Sequence, residues 1–144
     1  MTGTLRARPV PATHDRPFWD GLREHRLMLP RCDRCELFAY PPAPRCRRCL
    51  RPTRTWRQCA GTGTLHAWAT ARRPFAPGFT APYTVAQVAL DVQDGLLIDA
   101  LLLPADKDTP RIGSPVTAVH LDDRRGFSVL AFRCVRRTPR PPTD

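Results

Sequence analysis

Alternation of apolar and polar positions is clearest in the second half of the chain. Thr64-Leu65-His66-Ala67-Trp68-Ala69-Thr70-Ala71 changes side at each residue, as a strand with one covered face does. Tyr83 to Leu90 forms a second such segment, and Asp94-Gly95 supplies a hairpin turn into the almost wholly apolar run Leu96 to Leu103. Ile112-Gly113-Ser114-Pro115 leads into a strand from Val116 to Leu121, and Gly126 turns the chain into a last one from Phe127 to Val135. Between these lie a proline-rich loop from Arg72 to Pro82, carrying Phe75 and Phe79, and a loop from Pro104 to Pro110. Five strands with turns at short intervals and no substantial helix describe a small closed barrel, most economically a five-stranded OB-fold barrel. Gly61 and Gly63 stand as turn or bulge glycines, because their spacing is too short for a phosphate loop.

Upstream the pattern is different. Residues 1 to 14 have no periodic apolar positions and are expected to form an arm. A short helix follows, with Asp15 as cap, Pro17 in the first turn, and Phe18 with Leu22 on one face beside Trp19. Gly21 limits its length. Arg26 to Leu29 is expected as a strand, Leu37 to Tyr40 as its return strand, and Thr53 to Gln58 as a third. The expected units are an arm and helix over 1–25, a metal ribbon over 26–59, a barrel over 60–135 and a disordered tail over 136–144, in a mainly β chain.

The first half is organised around Cys32-Asp33-Arg34-Cys35 and Cys46-Arg47-Arg48-Cys49. Two such pairs make two knuckles that can face each other across one ion, and four thiolates fill a tetrahedral zinc site without leaving a position for water or substrate. A structural Zn2+ in a rubredoxin-like zinc ribbon is the expected state; iron would use the same spacing, and zinc is the commoner occupant. Glu36 and Leu50 follow the second cysteine of each pair, where glycine would relieve a positive φ. Metal binding makes up for a thin apolar ribbon, contributing on the order of 10 kcal/mol. Arg31, Arg34, Arg45, Arg47 and Arg48 offset the negative charge of four thiolates. Reduced thiols agree with a cytoplasmic location, and Cys59 and Cys134 are expected to pack in the core outside the cluster.

The 144 residues contain neither an apolar run long enough to span a bilayer nor a signal-peptide pattern. The net charge of +10 would suit a nucleic-acid partner, but its distribution argues against one. Residues 1–59 hold 13 Arg against 5 acidic residues, whereas over 60–135 the 7 basic and 7 acidic residues cancel. The barrel therefore has no electrostatic footprint for phosphate chains, and its second and third strands offer Val, Ala and Leu rather than stacking aromatics.

A set of ordered motifs runs through most of the chain. The motifs are Pro17-Phe18-Trp19-Asp20-Gly21-Leu22, the four ribbon cysteines, Tyr40-Pro41-Pro42, and Trp56 ahead of Gly61-Thr62-Gly63-Thr64. Ala81-Pro82-Tyr83, Ile112-Gly113-Ser114-Pro115-Val116 and Ala131-Phe132 complete them, over residues 15 to 133. In order and spacing the set resembles a known family of stand-alone zinc-ribbon plus OB-fold proteins, formerly a domain of unknown function, that accompany thiolase-like enzymes. The resemblance implies a subunit that binds a thiolase-like acyltransferase, a ketosynthase-like enzyme or a sterol side-chain aldolase acting on an acyl-CoA thioester. It further implies that the barrel helps form the coenzyme A entrance or steadies the partner. The absent knuckle glycines depart from the family pattern.

The leading expectation is a non-catalytic accessory subunit in a hetero-oligomer, with no membrane role. His14, His25, His66 and His120 are scattered without a spaced carboxylate or nucleophile, so no catalytic constellation can be drawn. Phe18, Trp19 and Leu22 are the expected partner contacts; Arg72, Arg73, Phe75 and Phe79 are the expected contacts to the coenzyme's phosphates and pantetheine. The second reading is a nucleic-acid binder, since both ribbons and OB barrels occur there. A rubredoxin-like electron carrier would differ only in its metal.

Overall fold

The computed structural model describes residues 7–53, 55–104 and 110–135. The arm's first residues, Arg54, part of the loop after Pro104 and the tail from 136 lie outside this range. Helix α1 (Arg16–Arg23) is followed by β1 (Leu27–Arg31), β2 (Thr55–Cys59), β3 (Thr62–Ala71), β4 (Tyr83–Leu90), β5 (Leu97–Leu102), β6 (Pro115–Asp122) and β7 (Ser128–Cys134). The last five close into a barrel in the order β3-β4-β5-β7-β6. Neighbours are antiparallel except β5 and β7, which run parallel through Leu101 and Leu102 against Ala131 and Phe132. The expected five-stranded barrel is thus present.

Alternation along β4 and β7 places Ala86, Val88, Leu90, Leu130 and Phe132 inside, where they meet Leu65, Ile98, Leu102 and Val116 in one core. The backbone of β4 crosses β3 so closely at Gly63 that a Cβ there would lie 2.4 Å from the Ala89 carbonyl oxygen. Only glycine fits that strand position.

Helix α1 packs on β1, β6 and β7. Phe18 and Leu22 enter the common core, at 6% and 0% exposure. Both are therefore spent on this chain's own core, which leaves Phe18 little surface and Leu22 none for the expected partner contact. Trp19 remains half-buried, edge-on to Phe18 at 5.1 Å between ring centroids and tilted on Phe127 at 5.4 Å. Asp15 occupies the N-cap position without a side-chain cap bond; its carboxylate accepts from Trp19 Nε1 at 3.3 Å instead. The helix ends in a Schellman turn: His25 N donates to Leu22 O at 3.0 Å and Arg26 N to Gly21 O at 2.8 Å. His25 takes the left-handed position, φ 57°, that glycine usually fills. A Cβ on Gly21 would sit 2.5 Å from Met28 Cγ, so glycine here lets the chain fold back into β1.

β1 pairs antiparallel with β2, from Leu27 opposite Cys59 to Arg31 opposite Thr55. The expected return strand at Leu37 to Tyr40 does not form. Only a single bridge joins Phe38 to Arg31, on the edge of β1 opposite β2, flanked by Cys32 N donating to Leu37 O at 2.9 Å and Ala39 N to Pro30 O at 3.0 Å. The backbone of Phe38 is satisfied from elsewhere: its N–H donates to Gln93 Oε1 at 2.8 Å and its carbonyl accepts from Gln93 Nε2 at 3.3 Å. Gln93 belongs to the β4–β5 turn, so one side-chain amide imitates a strand and fastens the ribbon to the barrel. No helix among the described residues is long and apolar enough to cross a membrane.

Candidate metal centre and exposed arm

The two cysteine knuckles are built alike. Cys32 N donates to Leu37 O at 2.9 Å and Glu36 N to Cys32 O at 2.8 Å; in the second knuckle Cys46 N donates to Arg51 O at 2.8 Å and Leu50 N to Cys46 O at 2.9 Å. Glu36 and Leu50 have φ of 57° and 59°, the left-handed conformation expected at these positions. An arginine preceding each first cysteine supports the strained turn. Arg31 Nε donates to the Glu36 carbonyl at 3.0 Å, and Arg45 Nη1 donates to the Leu50 carbonyl at 3.0 Å. Arg31 also pairs with the Glu36 carboxylate at 3.1 Å. These bonds offset the steric cost of carrying a side chain where glycine is cheapest.

The knuckles bring the sulfurs of Cys32, Cys35, Cys46 and Cys49 within 4.8 Å of one another, with Cys32 and Cys49 at 3.6 Å. A tetrahedral zinc with sulfurs at about 2.3 Å needs sulfur separations of roughly 3.8 Å, so the set fits such an ion. Backbone amides point at the cluster: Cys35 N lies 3.4 Å from Cys32 Sγ and Arg48 N 3.4 Å from Cys46 Sγ. The amides of Cys49 and Arg48 pull the Cys46 thiol down to about 6, while burial, with the neighbouring thiols Cys49 and Cys46, pushes Cys35 up to about 12. A bound cation would resolve that conflict by favouring four thiolates at once. With sulfur in each position the ion would tie the knuckles together and leave no site for an activated water. Cys59 and Cys134 lie outside the cluster; Cys59 is buried, and burial pushes its thiol up to about 11.

A polar cluster that sequence spacing did not reveal joins the helix turn to the barrel. His25 Nε2 lies 2.8 Å from Asp122 Oδ2, across 97 residues, and its ring stacks on His120 at 5.3 Å. Ser128 Oγ donates to Asp122, and that bond with the His25 contact holds the Asp122 carboxyl below its ordinary range. Burial, reinforced by His25, lowers His120. The expectation that no histidine has a carboxylate partner is therefore corrected. The order is nevertheless wrong for a nucleophile: the serine hydroxyl is bonded to the carboxylate rather than to an imidazole, and Ser128 is buried.

The remaining expected site residues lie on one projection. β3 and β4 extend beyond the barrel to the loop bearing Arg72, Arg73, Phe75 and Phe79. In β3 only Gly63 and Leu65 are buried, and His66 to Thr70 are exposed on both faces. The expectation of one covered face along the whole strand is corrected, because the barrel ends before the strand does. Phe75, 84% exposed, meets Phe79 at 6.4 Å, and Phe79 meets Tyr83 at 5.3 Å. Arg72 and Arg73 make no ion pair among the described residues.

The chain matches two family models, "ChsH2, rubredoxin-like zinc ribbon domain" over residues 19–53 and "ChsH2, C-terminal OB-fold domain" over residues 56–120. It is 32% identical over 128 residues to a probable enoyl-CoA hydratase alpha subunit of Thermomonospora curvata, a match covering 88% of this chain and 40% of the relative. It is 30% identical over 115 residues to the 3-oxo-4,17-pregnadiene-20-carboxyl-CoA hydratase alpha subunit of Mycobacterium tuberculosis, covering 80% and 36%. The chain thus spans about two fifths of the length of the curated relatives it matches. A chain of the Ltp2-ChsH2(DUF35) aldolase superposes with TM-score 0.78 and 28% identity, over 88% of this chain and 98% of that one. A DUF35 protein of Sulfolobus solfataricus shares the fold alone, at TM-score 0.60 and 12% identity. The chain belongs to the ChsH2 family of proteins in which a rubredoxin-like zinc ribbon is joined to an OB-fold domain.

Proposed function

We propose that this chain is a non-catalytic accessory subunit of a thiolase-like acyl-CoA enzyme, an acyltransferase, thiolase or aldolase of the cytoplasm. It would steady that enzyme and help form its acyl-CoA site. The observation that carries this reading is the contrast between a chemically closed interior and an open projection. Among the described residues the metal-ligating cluster is filled by sulfur, and the histidine–carboxylate pair activates no nucleophile. Yet the β3–β4 projection exposes an uncharged strand, the rings of Trp68 and Phe75, and two arginines. Such a surface suits a protein that acts by contact. The names of the relatives, coenzyme A hydratase alpha subunits and an Ltp2-ChsH2 aldolase, support an acyl-CoA enzyme as the setting.

In this reading the ribbon holds a structural zinc. Half-buried Trp19 remains as a partner contact, and Arg72, Arg73, Phe75 and Phe79 lie where the coenzyme's phosphates and pantetheine pass between the subunits. The test is purification of a tagged chain from its native host, with copurifying proteins identified and metal measured in the same sample. A stoichiometric thiolase-like subunit and one zinc per chain are expected. Recovery of nucleic acid without an enzyme would replace the proposal with the binding-module reading.

A further inference from the structure

β3 has two edges. One is paired with β4 along its whole length, from Gly63 opposite Leu90 to Ala71 opposite Tyr83. The other is paired with β6 only at Thr62, Gly63 and Thr64, and the pairing ends at Leu65, whose N–H donates to Ser114 O at 2.8 Å and whose carbonyl accepts from Gly113 N at 2.7 Å. A register shift against β4 falls between Leu65 and Ala67, where the strand leaves the barrel. From His66 to Ala71 no described residue pairs with this outer edge.

Edges of this kind are normally guarded by lysine, proline, inward charge or a covering segment, because their unpaired amides and carbonyls recruit other strands. Residues 66 to 71 are His-Ala-Trp-Ala-Thr-Ala and contain none of the guarding residue types. On one side of them Trp68 and Thr70 border a groove of about 480 Å³ shared with Tyr83, Leu101 and Leu103. At the end of the strand stand Arg72 and Arg73, with no carboxylate among the described residues paired to either.

We infer that the outer edge of β3 from His66 to Ala71 takes an extended segment of the partner enzyme subunit as an added strand. That segment is uncharged opposite Ala67 to Thr70 and ends short of Arg72 and Arg73, which the accessory-subunit reading leaves to the coenzyme's phosphates at the same interface. Main-chain hydrogen bonds supply the affinity in this mode, and the groove beside Trp68 receives alternate side chains. A second copy of this chain is the poorer occupant. Antiparallel self-pairing would set each copy's Arg72 and Arg73 against the other end of β3, and residues 62 to 71 hold no carboxylate to receive them. The inference rests on the accessory-subunit reading and locates its interface.

The test uses the purified chain with the thiolase-like subunit identified by the copurification above, followed by amide hydrogen exchange. On complex formation, amides within 66–71 should slow by at least about tenfold. Protection confined to the 72–82 loop or to the helix, with 66–71 unchanged, would overturn the inference while leaving the accessory-subunit reading intact. Protection of 66–71 in the chain alone, accompanied by a dimer mass, would assign the edge to a second copy and overturn it too. An Ala67→Lys, Ala69→Lys variant with unchanged melting temperature should bind the subunit at least about tenfold more weakly. Unaltered affinity would count against strand addition. If no thiolase-like subunit copurifies, the underlying reading falls first and the inference with it.

Discussion

Replacing Leu22 by alanine separates a helix that serves this chain's own core from one that serves a partner. Leu22 has no accessible surface and packs among Phe18, Leu27, Leu29 and the barrel residues. Burying a leucine and then truncating it costs about 2–5 kcal/mol, the spread depending on how far the site can collapse or admit water. Here the side chain borders an existing cavity of about 250 Å³, between Trp19, Tyr40 and Leu130, so the lower part of that range applies. For a chain of this size about 2–3 kcal/mol corresponds to a fall in Tm of roughly 10 °C. The assay is thermal unfolding of purified, metal-loaded Leu22→Ala beside the unaltered chain, with Trp19→Ala as the half-buried comparison. A Tm within about 2 °C of the parent, together with loss of the copurifying subunit, would refute the core assignment and return Leu22 to the interface.

Three further outcomes follow from the geometry. Removing the metal with a chelator should expose residues 26 to 58 to protease before the barrel is cut, since an ion of this kind contributes on the order of 10 kcal/mol to folding; cleavage in the barrel first would contradict a structural role. Gln93→Ala removes both hydrogen bonds to Phe38 and should cost about 1–2 kcal/mol, seen as faster amide exchange around Phe38, with unchanged exchange there as the contrary result. Acid should weaken the helix–barrel junction. Asp122 and His120 both have lowered folded pKa values, so each contributes stability that is present above its ordinary value and lost as pH falls, His120 below about 6.5 and Asp122 below about 3.9. Asp122→Asn should flatten the lower part of this dependence in a Tm series against pH; an unchanged slope would count against the linkage.

What could be read from the chain beforehand was local. Spacing within Cys32–Cys35 and Cys46–Cys49 places four sulfurs together because each knuckle is closed by its own backbone, and the barrel strands declare themselves by alternation. The misses share a cause in distant partners. Leu37 to Tyr40 has strand composition, but its amide and carbonyl at Phe38 are met by Gln93, 55 residues away. His25 has no nearby carboxylate in sequence, and its partner Asp122 is 97 residues on. Phe18 and Leu22 at i and i+4 give one apolar stripe whether they face the barrel or another protein, and only the three-dimensional packing distinguishes the two. Likewise, alternation along β3 cannot show that the barrel closes over its first residues and leaves His66 to Thr70 bare. The left-handed φ at Glu36 and Leu50 was legible; the arginine bonds that support it were not, since arginine ahead of a cysteine also serves as ordinary surface charge.

The accessory role is tested most directly by turnover of acyl-CoA by the copurifying enzyme subunit, alone and with this chain added. This chain alone should be inert, the enzyme alone weakly active or unstable, and a stoichiometric mixture should restore turnover with a lower KM for the thioester. Turnover by this chain in isolation, or an enzyme whose rate, KM and stability ignore its addition, would contradict it.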